Sequence, residues 1–175
     1  AAGRGVLPEH DVVVFDEAYF EYPSDPPDLL RFVREGRNVV VLRTFSKIHG
    51  LASLRIGYGI GRPDLIQVLQ KARLPFNVNG IALAAAVASL ADDAHQRDTK
   101  RITDEGRNYL QEEFATMILP YVPSAANFVL VRVGETAPFI TALAARKVHV
   151  RDRSKDPTTP GCIRITAGVV EPRYP

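Results

Sequence analysis

Val12-Val13-Val14-Phe15-Asp16-Glu17 is a short apolar run that ends in two carboxylates, and Asn38-Val39-Val40-Val41-Leu42-Arg43-Thr44 repeats the pattern. Uninterrupted apolar runs of this length are typical of strands buried on both faces, as in a parallel sheet covered by helices. Between the two runs, residues 28–35 have helical spacing of apolar side chains, and Gly36 suits the end of a helix. Strand, helix and strand in this order predict an α/β fold.

The rest of the chain continues to alternate helices and strands. We expect helices at residues 63–73, 81–91, 96–121 and 137–146, and strands at residues 127–133, 148–150 and 162–166. The helix at 81–91 is Ala-rich and apolar nearly all round, which predicts that it is buried. A charged segment begins after Asp92-Asp93. We therefore predict part of a large domain at residues 1–95 and a small C-terminal α/β domain, expected to be truncated, at residues 96–175.

Composition and charge exclude several classes of protein. The 175 residues are 46% hydrophobic and 24% charged, as in ordinary soluble globular proteins. A net charge of +2 does not favour binding to nucleic acid or to a membrane surface, and no apolar segment approaches the roughly 20 residues that span a bilayer. The single cysteine, Cys162, excludes an internal disulfide, and four scattered histidines make a metal site unexpected. No signal peptide is recognised, so we expect a cytoplasmic protein.

Chemically reactive side chains follow the two predicted strands at the carboxyl edge of the sheet, where α/β folds form their crevice. The first strand leads into Asp16-Glu17-Ala18-Tyr19, and the second leads into Thr44-Phe45-Ser46-Lys47 and then Arg55. Each residue alone is weak evidence, because an Asp at a strand end is often a cap and a Lys there is usually solvated. The alternating glycines at residues 57–61 fit either a phosphate loop or a plain turn. The order and spacing of the whole set are specific.

This set resembles the fold-type I, pyridoxal-phosphate-dependent aminotransferases (class II), and most closely the histidinol-phosphate aminotransferases. The segments that carry the resemblance are Asp16–Tyr19, Thr44–Gly59, Pro75–Asn79, Ala126–Val129, Val150–Ser154 and Ile163–Gly168. The second of them matches the signature around the cofactor lysine and departs from it at Ser53, where relatives usually carry a smaller residue such as Gly. The resemblance implies an aspartate aminotransferase-like fold, with part of the large-domain sheet and a small α/β domain.

The resemblance also implies a role for each candidate residue. Lys47 would form a Schiff base with pyridoxal 5'-phosphate and then move a proton between the substrate and the cofactor. Asp16 would keep the pyridine nitrogen protonated, so that the ring acts as an electron sink, and Tyr19 would contact the 3′ oxygen of the ring. Ser46 and Arg55 would bind the cofactor phosphate.

On the substrate side, the resemblance implies that Arg164 binds the α-carboxylate through a bidentate fork. Arg151 and Arg153 could approach a substrate phosphate or could equally form surface ion pairs. Glu17 follows Asp16 in an extended chain, points to the opposite side and is interpreted as structural. His49 has no partner that the sequence identifies.

The function implied by the resemblance is a transaminase of histidine biosynthesis. It would convert histidinol phosphate and 2-oxoglutarate to imidazole-acetol phosphate and glutamate, and it would act on these small molecules as a homodimer. The match begins shortly before Asp16, so we expect the chain to be the C-terminal half of a longer enzyme and to be inactive alone. Three alternatives stay open: a related aromatic aminotransferase, a phospho-amino-acid decarboxylase, and a non-catalytic effector-binding domain of a transcription regulator.

Overall fold

The computed structural model describes residues 11–170, which belong to two compact units, Ala1–Gln96 and Arg97–Pro175. The boundary falls within helix α4 (Asp93–Thr116), and each unit is described by itself. The assignment of residues 1–95 to a large domain and of 96–175 to a small domain stays a prediction. No helix in the described part of the chain is long and apolar enough to cross a membrane.

The first unit is built on a mixed three-stranded sheet in the order β1-β2-β3. β1 and β2 are parallel, as predicted, whereas β3 is antiparallel to β2. The elements are β1 (Val13–Asp16), α1 (Leu30–Arg34), β2 (Val39–Thr44), a 3-10 turn (Ala52–Leu54), β3 (Gly57–Gly61), α2 (Pro63–Ala72) and α3 (Gly80–Leu90). The predicted α/β class is confirmed.

The two parallel strands differ in burial. In β2 the valines at positions 39–41 are almost inaccessible, which agrees with a strand covered on both faces. In β1, by contrast, Val14 is 56% exposed, and Val12 just before the strand is 51% exposed. Within residues 11–170, β1 pairs only with β2, and one of its faces is not covered. The prediction of burial on both faces therefore holds for positions 39–41 of β2 and is wrong for β1 and for Leu42, which is 40% exposed.

Helix α3 was predicted to be buried, and this prediction is wrong for the part of the chain that the structure describes. Only Ala82 and Ala86 are buried, where they pack against Phe45 and its neighbours. Ile81 and Val87 are 76% and 70% exposed. An apolar composition makes burial favourable but does not supply the partner surface, and the first unit covers only one narrow face of this helix.

The second unit contains an antiparallel four-stranded sheet in the order β4-β5-β7-β6. Its elements are α4 (Asp93–Thr116), β4 (Tyr121–Val122), β5 (Phe128–Arg132), α5 (Thr136–Ala145), β6 (Arg151–Asp152) and β7 (Cys162–Thr166). The core is formed by Phe114 of α4 with Val129, Val131 and Ile163 of the two central strands. Cys162, at the start of β7, is 4% exposed and carries a free thiol.

Two predicted elements of this unit end or begin elsewhere. The helix predicted at 96–121 ends at Thr116, because Ile118 has a left-handed backbone (φ 57°), and the chain then enters β4. The strand predicted at 148–150 is not formed. The chain leaves α5 through another left-handed residue, Lys147 (φ 62°), and pairs with β7 only from Arg151 onward.

Gly106 lies in the middle of α4 at a point of very close approach. It is buried, and a Cβ atom built on it would lie 2.0 Å from the carbonyl oxygen of Gly168. The segment after β7 is held there by the Ala167 amide, which donates to the carbonyl oxygen of Asn127 at 2.9 Å. Only a residue without a side chain allows the helix and this segment to come so close.

Candidate active site

The carboxyl ends of β1 and β2 lie side by side because the strands are parallel, with Asp16 opposite Leu42. Asp16 is exposed, and its Oδ1 accepts a hydrogen bond from the Ala18 amide at 3.0 Å. Residues 17–22, here called the tyrosine turn, follow at once. The Phe20 amide donates to the Glu17 carbonyl at 3.0 Å, so the chain reverses directly beyond the strand end.

Residues 45–50, here called the lysine turn, follow β2. The Ser46 amide donates to Thr44 Oγ1 at 3.0 Å, and the Gly50 amide donates to the Lys47 carbonyl at 2.9 Å. Gly50 closes the turn with a positive φ of 71°, which glycine adopts without strain. Lys47 is half-buried, and its Nζ lies 5.1 Å from the centroid of the Tyr19 ring. This is a cation–π distance, and it joins the two turns at the sheet edge.

Arg55 ends the 3-10 turn in the left-handed conformation (φ 54°) and is exposed. Its Nη1 donates to the carbonyl oxygen of Ala52 at 2.9 Å. The glycines that follow are strand residues, since they belong to β3. A Cβ on Gly57 would lie 2.7 Å from the Arg43 carbonyl oxygen. Close packing of β3 on β2 therefore explains this glycine without a phosphate loop.

A buried ion pair attaches the tyrosine turn to β2. Arg43 Nε donates to Glu17 Oε2 at 2.8 Å, and the Arg43 guanidinium lies 3.7 Å from the centroid of the Phe20 ring. Burial lowers the pKa of Arg43, but hydrogen bonds to Glu17 and Tyr58 outweigh it and leave the pKa raised. Glu17 is thus tied to the neighbouring strand, as its interpretation as a structural residue predicts.

A second buried pair, which the sequence did not indicate, lies between the same two turns. His49 Nε2 of the lysine turn is 3.9 Å from Glu21 Oε1 of the tyrosine turn. The His49 ring packs 4.8 Å from the Phe45 ring. Burial raises the pKa of the Glu21 carboxyl, although its own backbone and the nearby His49 and Arg43 act in the opposite direction. Neither residue belongs to a recognisable sequence motif. The two side chains come together only in the folded structure, where the two turns lie side by side.

Arg164 belongs to the second unit, at the centre of β7 and opposite both Leu130 and Arg151. Its guanidinium carbon lies 4.9 Å from the centroid of the Phe128 ring, and its Nε is buried without a hydrogen-bond partner in the described part of the chain. Its substrate role stays a prediction. Arg153 forms an ion pair with Asp156, which is one of the two alternatives left open for it.

The first unit thus brings a carboxylate, a phenol, a hydroxyl, an amine and a guanidinium to the loops around one sheet edge. The amine and the phenol ring are in contact, and the carboxylate ends the neighbouring strand. This donor set fits pyridoxal 5'-phosphate, which needs an amine for attachment, an anion at its ring nitrogen and cationic donors for its phosphate. The α/β fold and this set of side chains together are those of a pyridoxal-phosphate-dependent transferase.

Comparison with known proteins identifies the family. The family model described as aminotransferase class I and II matches residues 6–173. The chain belongs to this family, whose cofactor is pyridoxal 5'-phosphate.

Individual relatives point in the same direction. The chain is 49% identical over 162 residues to the histidinol-phosphate aminotransferase of Akkermansia muciniphila, covering 93% of this chain and 44% of that protein. It is 44% identical over 166 residues to the enzyme of the same name from Symbiobacterium thermophilum, covering 94% of this chain and 46% of that protein. The crystal structure of histidinol-phosphate aminotransferase from Sinorhizobium meliloti in complex with pyridoxal-5'-phosphate superimposes with a TM-score of 0.81 at 34% identity, covering 92% of this chain and 45% of that one. The chain thus spans less than half the length of these relatives.

Proposed function

We propose that the protein containing this chain is an aminotransferase that acts on histidinol phosphate with 2-oxoglutarate as the second substrate, in histidine biosynthesis. The observation that carries the proposal is the Lys47 amine over the Tyr19 ring, beside the strand end that bears Asp16. The names of the relatives support the choice of substrate. By the same resemblance we propose a homodimer and a cytoplasmic location.

Bound pyridoxal 5'-phosphate would supply an electron sink for the negative charge that develops at the substrate α-carbon. Lys47 would then take the proton from that carbon and deliver it to the C4′ carbon of the cofactor. An amine can do this only while it is unprotonated and held in place. Packing against the ring of Tyr19 restrains the side chain of Lys47, and the hydrogen bonds of the lysine turn limit the movement of its backbone.

The other site residues would bind and orient. Asp16 would accept a hydrogen bond from the protonated ring nitrogen, and the Ala18 amide, which donates to Asp16 Oδ1, fixes the direction of the carboxylate. Ser46 and Arg55 would donate to the phosphate, for which charge-assisted hydrogen bonds are the strong ones. Arg164 would bind the substrate carboxylate.

The class of reaction is tested by replacing Lys47 in the complete protein. Lys47→Ala should abolish the visible absorbance of attached cofactor and reduce amino transfer by about a thousandfold or more, because it removes both attachment and proton transfer. Lys71→Ala is the matched control, since Lys71 is exposed on α2 and is not one of the proposed site residues, and it should behave as wild type. A Lys47→Ala protein that kept both the absorbance and the activity would contradict the assignment.

The substrate is tested separately. Initial rates should be measured with histidinol phosphate, phenylalanine and tyrosine as amino donors, and carbon dioxide release should be followed with a phosphorylated amino acid. We expect the highest kcat/KM with histidinol phosphate and no carbon dioxide. A preference for an aromatic amino acid, or decarboxylation, would contradict the proposed substrate. Neither result would contradict membership of the family.

A further inference from the structure

The tyrosine turn and the lysine turn contact each other at two points, and these points are two residues apart in both turns. Tyr19 and Lys47 meet at the sheet edge, and Glu21 and His49, each two residues further along the chain, meet in the interior. The first contact involves proposed site residues. The second is buried, with the His49 side chain 5% exposed and the Glu21 side chain 19% exposed.

The buried contact is unfavourable for stability. Glu21 Oε2 and His49 Nδ1 are buried and have no hydrogen-bond partner within residues 11–170. Unpaired polar atoms of this kind lower the free energy of unfolding, and burial of Glu21 also disfavours its charged form. An apolar pair packed against Phe45 would be expected to make the fold at least as stable. Stability therefore does not explain why an acid and an imidazole lie here.

Position offers an explanation, because each turn is held together by hydrogen bonds of its own. In the lysine turn the Gly50 amide donates to the Lys47 carbonyl and the Leu51 amide donates to the Phe45 carbonyl, both at 2.9 Å. In the tyrosine turn the Tyr22 amide donates to the Tyr19 carbonyl at 3.1 Å. Holding His49 therefore holds the Lys47 backbone as well.

The first anchor of the tyrosine turn is the ion pair between Glu17 and Arg43, at the beginning of the turn. Glu21 lies near the other end. The Phe20 ring also contacts Arg43 of β2, and Tyr22 is buried, so these contacts hold the rest of the turn in place. The contact of Glu21 is of a different kind, because it joins this turn to the one that carries Lys47 rather than to the sheet.

We propose that Glu21 and His49 are positioning residues that hold the Lys47 amine over the Tyr19 ring. Neither touches the reacting atoms. The distance of 3.9 Å is too long for a direct hydrogen bond, so the attraction is electrostatic: an ion pair when the imidazole is protonated and a carboxylate–dipole contact otherwise. The inference rests on the proposed function in one respect, namely that Lys47 is the cofactor lysine.

The test compares Glu21→Gln and His49→Gln with Val41→Ala in the complete protein. Val41 is fully buried in β2, so its truncation lowers stability without touching the pair. Each protein is incubated with pyridoxal 5'-phosphate, reduced with borohydride and mapped by mass spectrometry. The adduct on Lys47 is measured relative to that on the exposed lysines Lys71 and Lys147. Amide hydrogen exchange of Gly50 and Leu51 is measured without cofactor.

We expect the preference for Lys47 to fall about tenfold in both pair variants, as loss of one charged buried contact would give. Exchange at Gly50 and Leu51 should rise in these variants. The Val41→Ala control should keep the wild-type preference although it is less stable, and Glu21→Gln should not be less stable than wild type at neutral pH. This combination separates positioning from a purely structural role.

Two other results have distinct meanings. A wild-type protein with no preference for Lys47 would refute the proposed cofactor site. A wild-type preference that persists in both pair variants, with unchanged exchange, would overturn the positioning role and leave the cofactor site standing. If a single variant fails to fold, the double variant Glu21→Leu with His49→Leu removes both polar groups together, and an unchanged preference there would also overturn the proposal.

Discussion

Gly106→Ala should destabilise the second unit, although alanine is the better helix former. The new methyl carbon would lie 2.0 Å from the Gly168 carbonyl oxygen, where ordinary contacts begin at 3.4 Å, so the backbone after β7 must shift by more than an ångström. Overpacking of this kind costs about 1–3 kcal/mol. A weakened hydrogen bond from the Ala167 amide to Asn127 adds about 1 kcal/mol. The gain in helix propensity offsets about 1 kcal/mol. The expected net loss is therefore about 1–3 kcal/mol.

Urea unfolding of the complete protein, followed by circular dichroism, measures this loss. Gly80→Ala is the matched control, because a Cβ on Gly80, at the start of α3, meets nothing within 4 Å. That variant should be neutral or more stable by up to about 1 kcal/mol. If Gly106→Ala unfolded at the same urea concentration as wild type, or at a higher one, the close approach to Gly168 would not exist in solution and the reasoning would fail.

Three further outcomes are expected. Asp16→Asn should slow removal of the substrate α-proton, measured by single-turnover kinetics, far more than it weakens cofactor retention, measured by cofactor titration. Loss of cofactor with unchanged turnover per bound cofactor would show that Asp16 only binds the cofactor. Burial raises the pKa of folded Glu21 above its usual 4.5, so its contribution to stability is complete at lower pH and is lost as pH rises through the raised pKa. Glu21→Gln should therefore gain stability relative to wild type as the pH rises above 4.5, and a difference in urea unfolding that stays constant with pH would contradict this. The 175-residue chain alone should show no measurable transamination with glutamate, and tight, stoichiometric cofactor binding with turnover would refute that.

The sequence predicts the first parallel pair of strands but not the third strand. β1 and β2 are apolar runs rich in β-branched residues, which is a local signal. β3 alternates glycine with Tyr58 and Ile60, and glycine is depleted in strands, so propensity favours a turn. The reason for these glycines is the close approach to β2, seen in the contact of Gly57 with the Arg43 carbonyl. Such a contact depends on the neighbouring strand and is invisible in a local window.

Burial is predicted less well than secondary structure. The apolar composition of α3 indicates a helix, and a helix forms, but which faces are covered depends on surfaces elsewhere in the molecule. Inside the first unit only the side bearing Ala82 and Ala86 meets a partner. For the site, the positions of Lys47 and Tyr19 just after the two predicted strands were sufficient to predict that both lie at one edge of the sheet. It could not reveal Glu21 with His49, since a buried pair between two turns leaves no periodic or motif signal.

Cys162 can be used to measure local opening of the sheet in the second unit. It is the only cysteine of the 175 residues, and it lies 4% exposed beside Ile163 in the central strand β7. A thiol reagent reacts only with an accessible thiolate, so the rate of modification under native conditions measures how often this sheet opens. No second thiol of the chain competes for the reagent. The absorbance change with a chromogenic disulfide therefore reports the reaction of Cys162 alone, and its rate gives the free energy of local opening without any introduced label.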